Sequence, residues 1–228
     1  MSLLRLLPRS WQRRIRNYAP RGFRDAASCG AFYDARSRLF CGDEAAVLEY
    51  SSLDVQRRLF ERAVAALPPH GRVLDVGCGL GHLVDFLEER GFPVSSYHGI
   101  DVSVAMIEAA RSHLGEEKAV SFEIRDLTQS GLPENGHDVG YIISVLGYPI
   151  GPEPMTTMMQ MLRTAFSACT DGLVFTHIMD GRRERPLAFP TIPEELASRC
   201  ECELGAKATI HDDGADFTYL ISLRRRTR

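Results

Sequence analysis

Residues 73–83 read VLDVGCGLGHL. A run of strand formers carries an aspartate, Asp75, and three glycines, Gly77, Gly79 and Gly81, then alternate with other residues. A turn of this kind between a strand and a helix lets the backbone of Gly77, Gly79 and Gly81 approach a ligand with no Cβ in the way. It also aims the unpaired N–H groups of the helix start at that ligand. The G-x-G-x-G spacing differs from the G-x-G-x-x-G of dinucleotide sites. Asp75 would also stand beside a pyrophosphate, where like charge in a partly dry site costs several kcal/mol. The expected ligand therefore has a cationic end near Asp75 and hydroxyls beyond it. Asp101, in HGIDVS, lies at the next strand tip and can accept both hydroxyls of a ribose. Asp126, in EIRDL, lies at the third and can accept from an exocyclic amine; its alternative role is to cap a turn.

The elements that must place these acids follow from periodicity and punctuation. Strands are expected at 72–76, 95–101, 120–126, 137–148 and 172–179, the fourth a long apolar run as for a strand covered on both faces. Helices are expected at 80–91, stopped by Gly91, and at 102–115, with Ser103 as N-cap and Gly115 as stop. Two more are expected at 153–170 and 193–200. Alternating strands and helices give a parallel sheet with helices on both faces. ECELGAKATI (201–210) and FTYLISLRRR (217–226), joined by a turn at Asp213–Gly214, read instead as an antiparallel hairpin. Cys200-x-Cys202 has the alternation of a strand. Residues 1–70 read as a helical preface or lid, and residues 71–228 as the ligand-binding domain. Within the preface, SSLDVQRRLFERAVAAL (51–67) has Leu53, Leu59, Phe60, Val64 and Leu67 near helical spacing and ends at Pro68–Pro69.

Composition bounds the reading. The chain has 228 residues and a net charge of -3, so as a whole it is no polyanion binder, and a nucleic-acid partner is not expected. Charge is uneven: Arg5, Arg9, Arg13, Arg14, Arg16, Arg21 and Arg24 precede the first acid. This arm reads as a packing or lid segment, as a membrane-surface arm, or as an organelle transit peptide. No apolar run approaches the ~20 residues of a membrane span. The six cysteines form no C-x-x-C and read as reduced thiols of a cytoplasmic protein. The seven histidines form no metal-ligand spacing, so no structural metal is expected.

A cation reader, a ribose reader and an amine reader in sequence match S-adenosylmethionine, which presents an ammonium, a ribose and the adenine amine in that order. VLDVGCGLGHL, GIDVSVAMIEAAR, FEIRDL and HDVGYIISVLGY together resemble the successive motifs of class I S-adenosylmethionine-dependent methyltransferases, over roughly residues 70–180. The resemblance implies a Rossmann-like, doubly wound, seven-stranded α/β sheet. That sheet is mostly parallel, with a C-terminal antiparallel hairpin and N-terminal helices. It also implies that Asp75, Gly77, Cys78 and Gly79 flank the methionine part and that Asp101 holds the ribose. Val102 and Met106 then pack near the adenine, Asp126 and Leu127 meet its edge, and Ser144 and Val145 lie under the sulfonium.

Methyl transfer from a sulfonium is an in-line displacement in which the protein supplies position and dryness. SVLGYPIGPEPM (144–155) is the loop expected beside the acceptor. It lacks the (Asn/Asp)-Pro-Pro-(Tyr/Phe) pattern of exocyclic-amine and glutamine-amide methylation, which favours a small-molecule O, N or S acceptor. Tyr148, His177 and Asp180 are the polar residues placed to reach such an acceptor. His177 is the best candidate base by its ordinary pKa, with helix packing as the alternative. In GAFYDARSRLF, Tyr33 and Arg36 or Arg38 are placed to reach the cofactor carboxylate. Arg182, Arg183 and Arg185 are placed to attract an anionic substrate. The competing readings are an RNA or protein methyltransferase using the basic arm and the RRRTR tail, a non-catalytic cofactor-binding partner, and last a nicotinamide dehydrogenase.

Overall fold

The computed structural model describes residues 21–114, 119–178, 189–211 and 218–226. Most of the basic arm, Gly115, Asp180 with Arg182, Arg183 and Arg185, the Asp213–Gly214 turn and the last two residues of the tail lie outside the described residues.

Seven strands form one sheet: β1 (Gly71–Val76), β2 (Val94–Asp101), β3 (Val120–Ile124), β4 (His137–Ile142), β5 (Cys169–Ile178), β6 (Ala206–His211) and β7 (Thr218–Arg225). Their order is β3-β2-β1-β4-β5-β7-β6. The first five are parallel, and β7 runs antiparallel between β5 and β6. The sheet grows one way from β1 through β2 to β3 and the other way through β4. A crevice therefore opens at the C-terminal ends of β1 and β4, where such sheets bind ligands. The expected doubly wound sheet with a terminal hairpin is the one observed.

The helices are α1 (Ala26–Leu39), α2 (Glu44–Val47), α3 (Leu53–Ala66), α4 (His82–Glu89), α5 (Val104–Leu114), α6 (Pro154–Ser167) and α7 (Pro193–Leu204). Leu59, Phe60, Ala63 and Val64 of α3 pack with Leu83, Val84, Phe86 and Leu87 of α4 and Ile107 of α5 on one face. Met158, Met159, Leu162 and Phe166 of α6 join Leu196 and Cys200 of α7 on the other. These spacings of three and four residues are the apolar stripes of helices that bury one side. No helix among the described residues is long and apolar enough to cross a membrane.

Helix α1 roofs the crevice. It starts from a capping box in which Asp25 accepts from the Ser28 N–H and Ser28 accepts from the Asp25 N–H. Gly30 lets it lie against the loop after β2: a Cβ there would come within 2.5 Å of the Val102 carbonyl oxygen. One turn on, Asp34 Oδ1 accepts from Ser103 Oγ at 2.6 Å and from the Ala105 N–H at 3.0 Å. Ser103 is itself the N-cap expected for α5, accepting from the Met106 N–H at 3.2 Å. Before α1, Phe23 bridges the loop after β4, donating to the Pro149 carbonyl at 2.8 Å and accepting from Gly151 at 2.9 Å.

Two element boundaries depart most from expectation. Strand β4 stops at Ile142 instead of running to residue 148. Its successor Ser144 takes a left-handed backbone, φ 60°, and donates its N–H to Thr176 Oγ1 at 2.7 Å. Residues 201–204 are not strand but the last turn of α7. Cys200 sits with Leu196 and Ala197 on the buried face, and Gly205, φ 65°, ends the helix. Cys200 is therefore buried and Cys202 exposed on a helix; all six cysteines are free thiols.

Candidate functional site

The tips of β1 to β4 and the roof enclose one cleft, which holds about 1090 Å³ of space with its open mouth included. Its floor is the glycine turn. Gly77 has φ 74°, and a Cβ there would stand 2.2 Å from Val145 Cγ2. Only glycine fits this position, because the backbone and the neighbouring loop both exclude a side chain. The N–H groups of Gly77 and Cys78 donate to the Ile100 carbonyl at 2.7 and 3.1 Å, which pins the turn to the tip of β2. The Gly79 N–H donates to Asp101 Oδ2 at 3.0 Å.

The three acids line this cleft together. Asp75 is 4% exposed and accepts from the Tyr97 hydroxyl. Burial pushes its pKa up to about 7, with the Asp101 charge adding to the rise and the Tyr97 bond opposing it. Asp101 accepts from Ser103 and Gly79 N–H groups at 2.9 and 3.0 Å, and burial again raises its pKa above the usual carboxylate range. Asp126 Oδ1 accepts from the Thr128 N–H at 2.8 Å and its hydroxyl at 2.6 Å, so it caps a turn while facing the cleft. Two buried carboxylates held partly against ionisation suit a ligand that brings positive charge and hydroxyl donors.

Every cofactor residue expected at the strand tips lies on the cleft wall: Gly77, Cys78, Gly79, Val102, Met106, Leu127, Ser144 and Val145 join the three acids. Met106 is 2% exposed, so it is core and cleft wall at once. Tyr33 and Tyr148 line the roof.

The structure does not bring the other expected residues there. His177 on β5 is 1% exposed and is not on the cleft wall. Its ring stacks on Tyr219 at 6.0 Å, Nδ1 accepts from the Ile178 N–H at 2.7 Å, and burial lowers its pKa to about 4. The packing alternative describes this histidine, and the base assignment is corrected. Arg38 is exposed on α1, away from the cleft. Arg36 is buried, but its guanidinium donates to the carbonyls of Ala46 and Val47 and stacks over Phe40 at 4.8 Å. Helix phase separates the two arginines, and neither lines this wall.

Several wall residues had no local signal. Tyr50, Gln56 and Leu48 come from the segment between α2 and α3 and from α3 itself. Burial pushes the Tyr50 phenol up to about 12, offset in part by its bond with Ser144. Glu49 sits just behind the roof in a left-handed backbone, φ 62°, and accepts from both Tyr33 and Tyr148.

A doubly wound sheet thus carries a glycine turn and three strand-tip acids into one cleft, at the edge where such sheets bind ligands. Residues 73–167 match the family model described as "Methyltransferase domain". The phosphoethanolamine N-methyltransferase 3 of Arabidopsis thaliana is 45% identical over 76 residues, 33% of this chain and 15% of that protein. The trans-aconitate 2-methyltransferase of Variovorax paradoxus is 31% identical over 120 residues, 53% of this chain and 42% of that one. The chain thus spans less than half the length of these relatives. Among solved structures, the cyclase SpnF superposes with a TM-score of 0.70 at 16% identity, covering 92% of this chain and all of that one; it shares the fold. Residues 73–167 of the chain thus resemble a methyltransferase domain.

Proposed function

We propose that the protein transfers a methyl group from S-adenosylmethionine to a small-molecule O, N or S acceptor. The observation that carries this reading is the set of three carboxylates, Asp75, Asp101 and Asp126, on one cleft wall with the glycine turn between the first two. S-adenosylmethionine, when bound, supplies a methyl group on a positively charged sulfur. Asp75 and the turn would hold the amino-acid end, Asp101 the ribose hydroxyls, and Val102, Met106 and Leu127 the adenine faces. Ser144 and Val145 would support the reacting end from below, with Tyr50 and Tyr148 across from them. The roof contributes by excluding water and aligning the acceptor, which can account for much of the rate of a displacement. Free thiols support a reducing, cytoplasmic setting.

A second reading, in which the same cleft holds S-adenosylmethionine for a cyclisation, is supported by the likeness to the S-adenosyl-L-methionine-dependent Diels-Alderase iccD of Talaromyces variabilis, 29% identical over 101 residues. An RNA or protein acceptor would show as salt-sensitive retention on that polymer. The decisive experiment is calorimetry with S-adenosylhomocysteine followed by a metabolite screen with a labelled methyl donor. Asp101→Ala should weaken binding by tenfold or more, about 1.4 kcal/mol. Unchanged binding would contradict the ribose assignment, and binding with no labelled product would favour the cyclase-like reading.

A further inference from the structure

We infer that the acceptor is an amine, whose proton leaves through a phenol of the roof to Glu49. This rests on the methyltransferase reading of the same cleft. Tyr33 donates to Glu49 Oε2 at 3.0 Å, and Tyr148 stands 3.1 and 3.2 Å from its two oxygens. The two phenols belong to α1 and to the loop after β4, so one carboxylate ties together roof segments 115 residues apart in the chain. Both rings line the cleft, and Tyr50 is a third. A phenol that directs its hydrogen to a carboxylate behind it presents its ring and oxygen to the cleft. Two such rings and that of Tyr50, whose hydroxyl bonds with Ser144, with Glu49 behind, make an electron-rich chamber that attracts an ammonium group. Glu49 holds its position in a left-handed backbone that non-glycine residues adopt at a steric cost.

The groups facing Glu49 are few. They are the two phenols, the Arg36 guanidinium at 3.9 Å, and the Cys29 thiol, pushed up to about 12 by burial and by the Asp101 and Glu49 charges. Cys29 therefore stays protonated and takes no part in the proton's route.

An ammonium is no nucleophile. One of its protons passes to a phenol oxygen while that phenol's own proton moves to Glu49, leaving a neutral amine and a neutral carboxylic acid. The amine lone pair forms the N–CH₃ bond as the C–S bond breaks, and that bonding pair stays on sulfur as the neutral thioether. The positive charge of the sulfonium passes to the methylated nitrogen. Glu49, 18% exposed, returns its proton to water. An alkylammonium, with a pKa near ~10.4, is acidic enough for such a relay. An alcohol, closer to water at ~15.7, is not, and a carboxylate acceptor would meet Glu49 as a like charge.

The test uses the full chain. A metabolite extract is divided by cation exchange into amine-containing and amine-free fractions, and each is incubated with methyl-labelled S-adenosylmethionine. Label should enter the amine fraction. Label only in the amine-free fraction would overturn the inference alone; no label in either fraction while S-adenosylhomocysteine binds would overturn it together with the methyl-transfer reading, and failure of S-adenosylhomocysteine to bind would sink the family-based reading. With the labelled amine as probe, Glu49→Gln should lower kcat about a hundredfold at pH 7 and leave S-adenosylhomocysteine affinity nearly unchanged. The defect should shrink steeply by pH 10, where the free amine is abundant. A loss that stays constant with pH marks a structural role and refutes the relay. Tyr33→Phe or Tyr148→Phe should reproduce the same pH-dependent loss, and neither doing so would also refute it. Should Glu49→Gln fail to fold, the phenol variants carry the same test.

Discussion

Lowering the pH from 8 to 6 should weaken S-adenosylhomocysteine binding about tenfold, and Asp75 is the cause. Its folded pKa lies near 7, because burial disfavours the charged form more than the Tyr97 bond favours it. The ionised fraction then falls from about nine-tenths at pH 8 to about one-tenth at pH 6, a loss of about 1.4 kcal/mol of attraction for the ligand's ammonium. The ammonium itself stays charged across this range. Asp101 is also raised, so 5′-methylthioadenosine, which keeps the ribose and lacks the amino-acid end, serves as the control; only the excess pH dependence of S-adenosylhomocysteine belongs to Asp75. The same shift bears on stability with a definite sign. A carboxyl raised from 3.8 to about 7 on folding binds protons more tightly in the folded state. Its stabilising contribution is full below pH 3.8 and is lost as pH rises through 7, a swing of up to about 4 kcal/mol. Asp75→Asn should therefore raise the ligand-free melting temperature at pH 8 by several degrees, at about 2–4 °C per kcal/mol, while removing most of the binding and its pH dependence. Titration calorimetry at pH 6, 7 and 8 with thermal melts checks both halves. Equal affinity at the three pH values, or tight binding by Asp75→Asn, would refute the reasoning.

Gly77→Ala should abolish measurable S-adenosylhomocysteine binding and lower the melting temperature, since its Cβ would lie 2.2 Å from Val145 at a φ of 74°. Adding Val145→Ala should restore only part of the loss, because the left-handed backbone still costs about 1–2 kcal/mol. Asp34→Ala removes the acceptor for Ser103 and Ala105, and at about 1–3 kcal/mol for a buried donor left unpaired it should loosen α1. Amide exchange should rise first in residues 26–39 while the β1 and β4 amides stay protected.

What could be read from the sequence was local in its physics. Asp75, Asp101 and Asp126 were legible because each stands where an apolar run meets a turn, and the sheet then carries strand tips to one edge whatever the details. Arg36 and Arg38 were not separable, because two residues apart on a helix point to nearly opposite sides and only the phase of α1 decides which is buried. His177 failed for a related reason. Strand β5 is covered on both faces, buried at Leu173 through His177, so the alternation that marks a half-buried strand is missing and polarity alone suggested a site. Residues 201–204 were misread because Cys200 and Cys202 fit a strand's two-residue period, while Leu196, Ala197 and Cys200 fit a helix's stripe. Glu49 was the hardest to see. Nothing in DEAAVLEY marks it, since its role depends on a left-handed backbone and on two tyrosines 16 residues before and 99 residues after it. The strand-tip half of the cleft is thus encoded at strand ends, where a short motif suffices. The other half is assembled from α1, the α2–α3 segment and the loop after β4, and it exists only once these three close over the sheet.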